Sequence, residues 1–100
     1  MQTHPKKLLV IIAEAAIERL VARDARRLGA HGYTVSDARG KGSRGVRGAS
    51  WAPSANVRIE VVCTAATAAA IADALRQRYY DDYAMILFVG DVEVMRPAKF

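Results

Sequence analysis

Cysteine and histidine are scarce in this chain of 100 residues, and their scarcity excludes two common kinds of site. The single cysteine, Cys63, rules out an internal disulfide and fits the reducing environment of the cytoplasm. His4 lies in an N-terminal tail and His31 in a turn, so we expect no bound metal. Because Cys63 ends an apolar stretch, we interpret it as a core residue rather than a redox switch.

Long apolar runs are also missing. Near the N-terminus, the run LLVIIA (8–13) gives way after six residues to Glu14. A signal peptide has a longer apolar region, and a transmembrane helix needs about 20 apolar residues. We therefore interpret the run as a buried strand, and we expect a cytoplasmic protein that does not span a membrane.

Acidic residues are absent from the stretch 38–59, whereas the whole chain has a moderate net charge of +5. Four cations fall within residues 39–48, namely Arg39, Lys41, Arg44 and Arg47. Because so much of the positive charge lies in one loop, the composition argues against a general nucleic-acid binder.

The residues that are present have the composition of a folded protein, with 52% apolar and 25% charged residues. A chain of this length supports one modest core, so we expect a single domain over residues 1–100. Hydrophobic patterns predict six elements in the order β-α-β-β-α-β: strands 7–13, 32–38, 56–63 and 84–95, and helices 14–28 and 65–80. That order is typical of the ferredoxin-like α+β fold, a four-stranded antiparallel sheet with two helices on one face.

Individual residues refine this prediction. We expect Gly29 to end the first helix and Thr64 to cap the second. The residues expected to face the core are one stripe of the first helix and alternate positions of the third strand: Ile17, Leu20, Val21, Ala25, Leu28, Val57, Ile59, Val61 and Cys63.

The first and last strands are apolar on both faces, although two helices can cover only one face of the sheet. Another copy of the same sheet is the simplest cover for the second face. The pattern therefore predicts an oligomer.

The loop after the second strand contains Gly40, Gly42, Gly45 and Gly48 among its cations. The spacing G-x-G-x-x-G occurs in it, but a dinucleotide site needs a helix to follow, and Gly48 and Pro53 interrupt any helix. A phosphate-binding P-loop is excluded because no Gly-Lys-Ser/Thr sequence occurs. RNA binding through an RRM-like sheet is disfavoured because NVRIEVVC contains no aromatic residue. An anion-binding loop and a solvated tether both remain, and the glycine and arginine content favours anion binding.

Three segments together resemble the PII-like signalling proteins: GYTVSDARGKGSRGVRG, VRIEVV and RYYDDYAMILFVGDVEVMRPAKF. The resemblance covers nearly the whole chain and is greatest to the branch linked to inorganic carbon, found beside bicarbonate transporters or carboxysome genes. It implies a homotrimer that binds adenine nucleotides, AMP or ADP with ATP or cyclic AMP as further candidates, in clefts between subunits. It also implies a T-loop, here about 43–56, and bicarbonate as a further ligand.

The resemblance assigns roles to individual residues. It places the adenine and ribose contacts on Thr34, Gly40 and Val62, and it lets Arg96 close the site from the C-terminal segment. The phosphate contacts would be Lys41, Gly42, Ser43, Arg44 and Arg47.

The chain also departs from the nitrogen-sensing members that it resembles. Their Gly- and Lys-rich loop before the last strand, which grips the outer phosphates of ATP, is replaced by YYDDYA. Their glutamine for magnesium-ATP and 2-oxoglutarate aligns with Arg44, and their modified T-loop tyrosine has no counterpart. These differences argue against a nitrogen sensor. They also favour a bound nucleotide with fewer phosphates than ATP.

Two alternatives to a nucleotide sensor stay open at this point. One is an ACT-like regulatory module that binds a small metabolite, and the other is a CutA-like metal-binding trimer. An enzyme is not expected, because no nucleophile lies near a base and adjacent carboxylates such as Asp81 and Asp82 usually face solvent.

Overall fold

The computed structural model describes the backbone of residues 1–42, 45–46 and 56–100, and the side chains of residues 1–40 and 56–100. Its strands are β1 (His4–Glu14), β2 (Thr34–Asp37), β3 (Lys41–Gly42), β4 (Gly45–Val46), β5 (Asn56–Cys63) and β6 (Met85–Val94). Its helices are α1 (Glu18–Arg27) and α2 (Ala65–Tyr79), with 3-10 turns at Ala15–Ile17 and Pro97–Lys99.

Four of these strands form one antiparallel sheet in the order β2-β5-β1-β6. The register pairs Ile11 of β1 with Ile59 of β5 and with Leu87 of β6, and Val35 of β2 pairs with Ile59. The predicted ferredoxin-like fold is therefore confirmed. Strands β3 and β4 form a separate two-stranded hairpin within the basic loop, which the glycine pattern did not predict.

The core lies between the sheet and the two helices. It is formed by alternate residues of the strands and by the inner stripes of both helices. Its residues include Leu9, Ile11, Ala13, Val21, Ala25, Val57, Ile59, Val61, Cys63, Ala68, Ile71 and Leu75. One predicted member is wrong, because the side chain of Leu20 is 40% exposed. The buried stripe of α1 follows Val21, Asp24 and Ala25 instead, so Leu20 lies at its rim.

Helix α1 ends at a glycine, as predicted. Gly29 has a φ of 121°, which L-residues with a side chain rarely adopt. The amide of Gly29 donates to the carbonyl of Arg26, and the amide of Ala30 donates to the carbonyl of Ala25. This pair of bonds is the Schellman motif, which satisfies carbonyl groups at the helix end.

Helix α2 begins where the side chain of Thr64 accepts a hydrogen bond of 3.2 Å from the amide of Thr67. The predicted N-cap is thus confirmed. At its other end, the carbonyl of Tyr79 accepts from the amide of Tyr83, and Glu14 Oε2 accepts from the amide of Ala84 at 2.9 Å. The turn between α2 and β6 is thereby attached to the end of β1.

Candidate functional site

The sheet face that points away from the helices carries the first group of candidate residues. Thr34 of β2 lies directly opposite Glu60 of β5, and Val62 lies two residues further along β5 on the same face. Thr34 is exposed and Val62 is half-buried. Two of the three residues predicted to contact adenine and ribose therefore lie together on this open face, while Gly40 lies beyond the end of β2.

An ion pair lies along strand β5 on the open face. Arg58 Nε donates to Glu60 Oε2 at 2.9 Å, and the Arg58 guanidinium lies 5.8 Å from the centre of the Phe88 ring. The side chains of Arg58 and Glu60 remain 36% and 39% exposed, respectively. Because Phe88 and Glu60 both lie opposite Val10, this cluster surrounds Val10, which is 1% exposed.

Sequence reasoning named neither Arg58 nor Glu60 as a site residue. The signal was nonetheless present, because the alternation in NVRIEVVC that buries Val57 and Ile59 places the residues between them on the opposite face. The pair gives the open face both signs of charge beside Thr34 and Val62.

The basic loop leaves the sheet at the end where β2 stops. The amide of Ala38 donates to the carbonyl of Asn56 at 3.0 Å, so the two ends of the loop are held side by side. Beyond them Gly40 is exposed. Lys41 pairs with Val46 and Gly42 pairs with Gly45 in the small hairpin. The other predicted phosphate contacts, Ser43, Arg44 and Arg47, lie outside the described residues.

Asn56 has an unusual environment at the base of this loop. The residue is 4% exposed, and its side-chain oxygen Oδ1 is buried without a hydrogen-bond donor among the residues that the structure describes. Buried amide oxygens are nearly always paired.

Arg96 lies at the opposite end of the sheet. Strand β6 begins at Met85, near the basic loop, and ends at Val94, which pairs with His4 at the start of β1. Arg96 follows that end and is exposed. One copy of the chain therefore does not bring Arg96 together with Gly40.

The turn before β6 carries two exposed carboxylates, Asp81 and Asp82. It lies at the same end of the sheet as the basic loop, because Ala84 and Asn56 both contact Glu14. The acidic side chains thus lie near the β6 edge of the sheet, and only the end of β1 lies between that edge and the Asn56 end of the loop.

Cys63 and the other possible metal ligands do not form a metal centre in the part of the chain that is described. Cys63 is 1% exposed, and burial raises the pKa of its thiol, an effect that the charge of Lys6 partly offsets. The core position predicted for Cys63 is confirmed. Within the described residues, no three His, Cys, Asp or Glu side chains are grouped closely enough to hold a metal ion. Neither helix there is long and apolar enough to cross a membrane.

Known proteins match this chain over almost its full length. A PII-like signalling protein from Thermus thermophilus is 39% identical, with a TM-score of 0.84 and a match covering 100% of this chain and 99% of that chain. CPII from Thiomonas intermedia, a nitrogen regulatory PII-like protein solved with ADP, AMP and bicarbonate, is 27% identical, with a TM-score of 0.85 over 99% and 96% of the two chains. A second CPII structure, with ADP, AMP and acetate, has the same identity of 27% and TM-score of 0.85, over 100% and 98% of the chains.

The family model described as nitrogen regulatory protein P-II matches residues 6–99. This match spans both helices and all strands of the large sheet except the first two residues of β1. The resemblance drawn from the sequence is confirmed at the level of the family, and the branch linked to inorganic carbon remains a prediction. The chain belongs to the P-II family of regulatory signalling proteins.

Proposed function

We propose that this protein is a non-enzymatic, cytoplasmic PII-like regulator that binds AMP or ADP in clefts between the subunits of a homotrimer. The observation that supports it most directly is the similarity to CPII, which was solved with ADP, AMP and bicarbonate and matches 99% of this chain. In this proposal the bound nucleotide changes the conformation of the T-loop, residues 43–56, and so controls a partner protein.

The open face of the sheet supports assembly by several copies. Ile86 and Phe88 are 45% and 46% exposed there, and Leu8, Val10 and Ile12 lie beside them on β1. Exposed apolar side chains grouped on one face of a sheet are typical of an interface. Assembly would also let Gly40 of one subunit and Arg96 of another meet at one site, because the two residues lie at opposite ends of the sheet within one chain.

Within such a cleft we assign Thr34, Gly40 and Val62 to the adenosine moiety. The phosphates would contact Lys41, Gly42, Ser43, Arg44 and Arg47, and Arg96 would reach the site from a second subunit. Glycine lets backbone amides approach phosphate oxygens, and each arginine can offer two parallel donors to one oxyanion. Glu60, which lies opposite Thr34 on the same face, is an additional hydrogen-bond acceptor.

The negative charge of the turn before β6 favours a nucleotide with few phosphates. Asp81 and Asp82 occupy the turn where nitrogen-sensing relatives carry the cationic loop that grips phosphates, and both carboxylates are exposed. Carboxylates near the outer phosphates repel them, so AMP and ADP suit this site better than ATP. Cyclic AMP, with one phosphate charge, remains a further candidate ligand.

Bicarbonate is the second ligand in the proposal. CPII was solved with bicarbonate in one structure and with acetate in another, and both anions present a planar pair of oxygens on carbon. Arginine matches that geometry with two parallel N–H donors. The partner that we propose is a bicarbonate transporter or a carboxysome-related protein, which would place this protein in the control of inorganic-carbon uptake.

A thermal-shift comparison of ligand classes tests the proposal. Ligands that bind the folded state raise the melting temperature according to their concentration and affinity. We expect AMP or ADP to raise it, with a further rise when bicarbonate is added to the nucleotide. A rise with amino acids alone would favour the ACT-like alternative, and a rise with copper or zinc alone would favour the CutA-like one. Either result, without a nucleotide effect, contradicts the proposal.

A further inference from the structure

Two arginines from different helices meet at one buried carboxylate. Asp24 of α1 is 1% exposed, and its Oδ1 lies 2.7 Å from Nη1 of Arg78 and 3.5 Å from Nη2 of Arg27. Its other oxygen, Oδ2, accepts a hydrogen bond of 2.9 Å from the hydroxyl of Tyr79. Both oxygens are engaged, so the carboxylate holds the two guanidinium groups in defined positions.

The charges at this point do not balance. One carboxylate faces two guanidinium groups, and the side chains of Arg27 and Arg78 are still 56% and 52% exposed. A guanidinium group carries five N–H donors, and its contact with Asp24 occupies only part of them. A second oxyanion arriving from solvent would therefore meet oriented donors and an excess positive charge.

The surface around the pair is basic, and an exposed apolar residue lies on the same face of α1. Arg23 is exposed and lies one helical turn before Arg27. Helices α1 and α2 together contain six arginines, three acidic residues and no lysine. Leu20 is 40% exposed and shares this helix face, since it lies three residues before Arg23 and seven before Arg27.

We propose that Leu20, Arg23, Arg27 and Arg78 form a docking site for an acidic segment of a partner protein. Arg23 and Arg27 are about 6 Å apart along the helix, which matches carboxylates four residues apart on a facing helix. Exposed Leu20 favours a protein segment over a free phosphate or a nucleic-acid backbone, because only the protein segment supplies an apolar side chain to cover it. The site lies on the helical side of the sheet, so it is independent of nucleotide binding on the open face.

The test uses a labelled helical peptide with glutamates four residues apart and a leucine between them. Fluorescence anisotropy measures its binding to the protein. The full-length protein carries Arg44→Ala and Arg47→Ala in every sample, so that the loop arginines do not compete. We expect Arg27→Gln to weaken binding about fivefold, the upper range for an exposed ion pair. Arg76→Gln is the matched control, since it removes the same charge from α2 at a side chain that pairs with Asp73 instead.

Arg27→Gln is expected to fold because Asp24 keeps its bonds to Arg78 and Tyr79. Arg23→Gln, which alters no contact of Asp24, is a second variant with the same expected loss. Equal losses in Arg27→Gln and Arg76→Gln would show attraction by overall charge and would overturn the docking site. If pyrophosphate or anionic vesicles bind in a way that depends on Arg27, and the peptide does not bind, the proposal of a protein partner would be overturned.

Discussion

Asp24 lies on α1 and pairs with Arg27 and Arg78, whereas Asp73 lies on α2 and pairs with Arg76. The side chain of Asp24 is 2% exposed and that of Asp73 is 66% exposed. Loss of a charged hydrogen bond typically costs about 1.5–3 kcal/mol when buried, whereas surface pairs contribute about 0–1 kcal/mol. We expect Asp24→Asn to lower the free energy of unfolding by about 2 kcal/mol and Asp73→Asn by less than about 0.5 kcal/mol. Urea denaturation compares them, and equal losses would refute the special role of Asp24.

The arginines of the basic loop give a second prediction for individual residues. Each guanidinium can donate two parallel hydrogen bonds to a phosphate, and charged hydrogen bonds are worth about 1.5–3 kcal/mol. We therefore expect Arg44→Ala or Arg47→Ala to weaken ADP binding by about tenfold to a hundredfold while the oligomer stays intact. Adenosine, which lacks phosphate, should bind both variants as it binds the natural chain. Calorimetry with ADP decides the point, and unchanged ADP affinity in both variants would mean that the loop is only a tether.

Among individual residues, the family resemblance assigned Thr34 and Val62 to adenine and ribose, which stays a prediction, and sequence reasoning missed Asp24. A polar residue in the middle of a helical stripe looks like an error in the hydrophobic pattern. Its role depends on Arg78 and Tyr79, which lie more than 50 residues away in the chain and meet it only in the fold. Local patterns carry no information on such a contact.

Among the structural elements, the end of α1 depends on one glycine. A Cβ atom added at Gly29 would lie 3.2 Å from Oγ1 of Thr67, and the φ of 121° disfavours any side chain. We expect Gly29→Ala to lower the free energy of unfolding by about 1–2 kcal/mol. The control is Gly32→Ala, since an added Cβ there meets nothing within 4 Å. Thermal denaturation of the two variants provides the measurement, and an equal effect at both positions would refute the turn as a stability determinant.

The sequence predicted the order and type of the main elements because their hydrophobic periods are clear. The boundaries were less predictable. Strand β1 begins at His4 rather than residue 7, since its polar first residues are held by pairing with β6, a contact between chain ends. Helix α1 begins at Glu18 after a 3-10 turn, although the apolar period already starts at residue 14. Periodicity identifies the buried face of an element better than its ends.

For the whole molecule, the open face of the sheet predicts assembly. We expect light scattering to give three times the chain mass of 10.9 kDa. Phe88→Asp should dissociate the trimer, because it places a charge on an exposed aromatic position of the open face. Leu20→Asp is the control, since Leu20 has similar exposure on the helical side. A monomer in the natural chain, or the same mass for both variants, would contradict assembly through this face.

If this protein binds an adenine nucleotide through its phosphates, calorimetric titration of the natural chain with ADP will measure that binding. We expect saturable binding with one ADP for each subunit. Adenosine should bind at least about tenfold more weakly, because it offers the loop arginines no oxyanion to contact. A titration without saturable heat for AMP, ADP, ATP or cyclic AMP, both with and without bicarbonate, would contradict it.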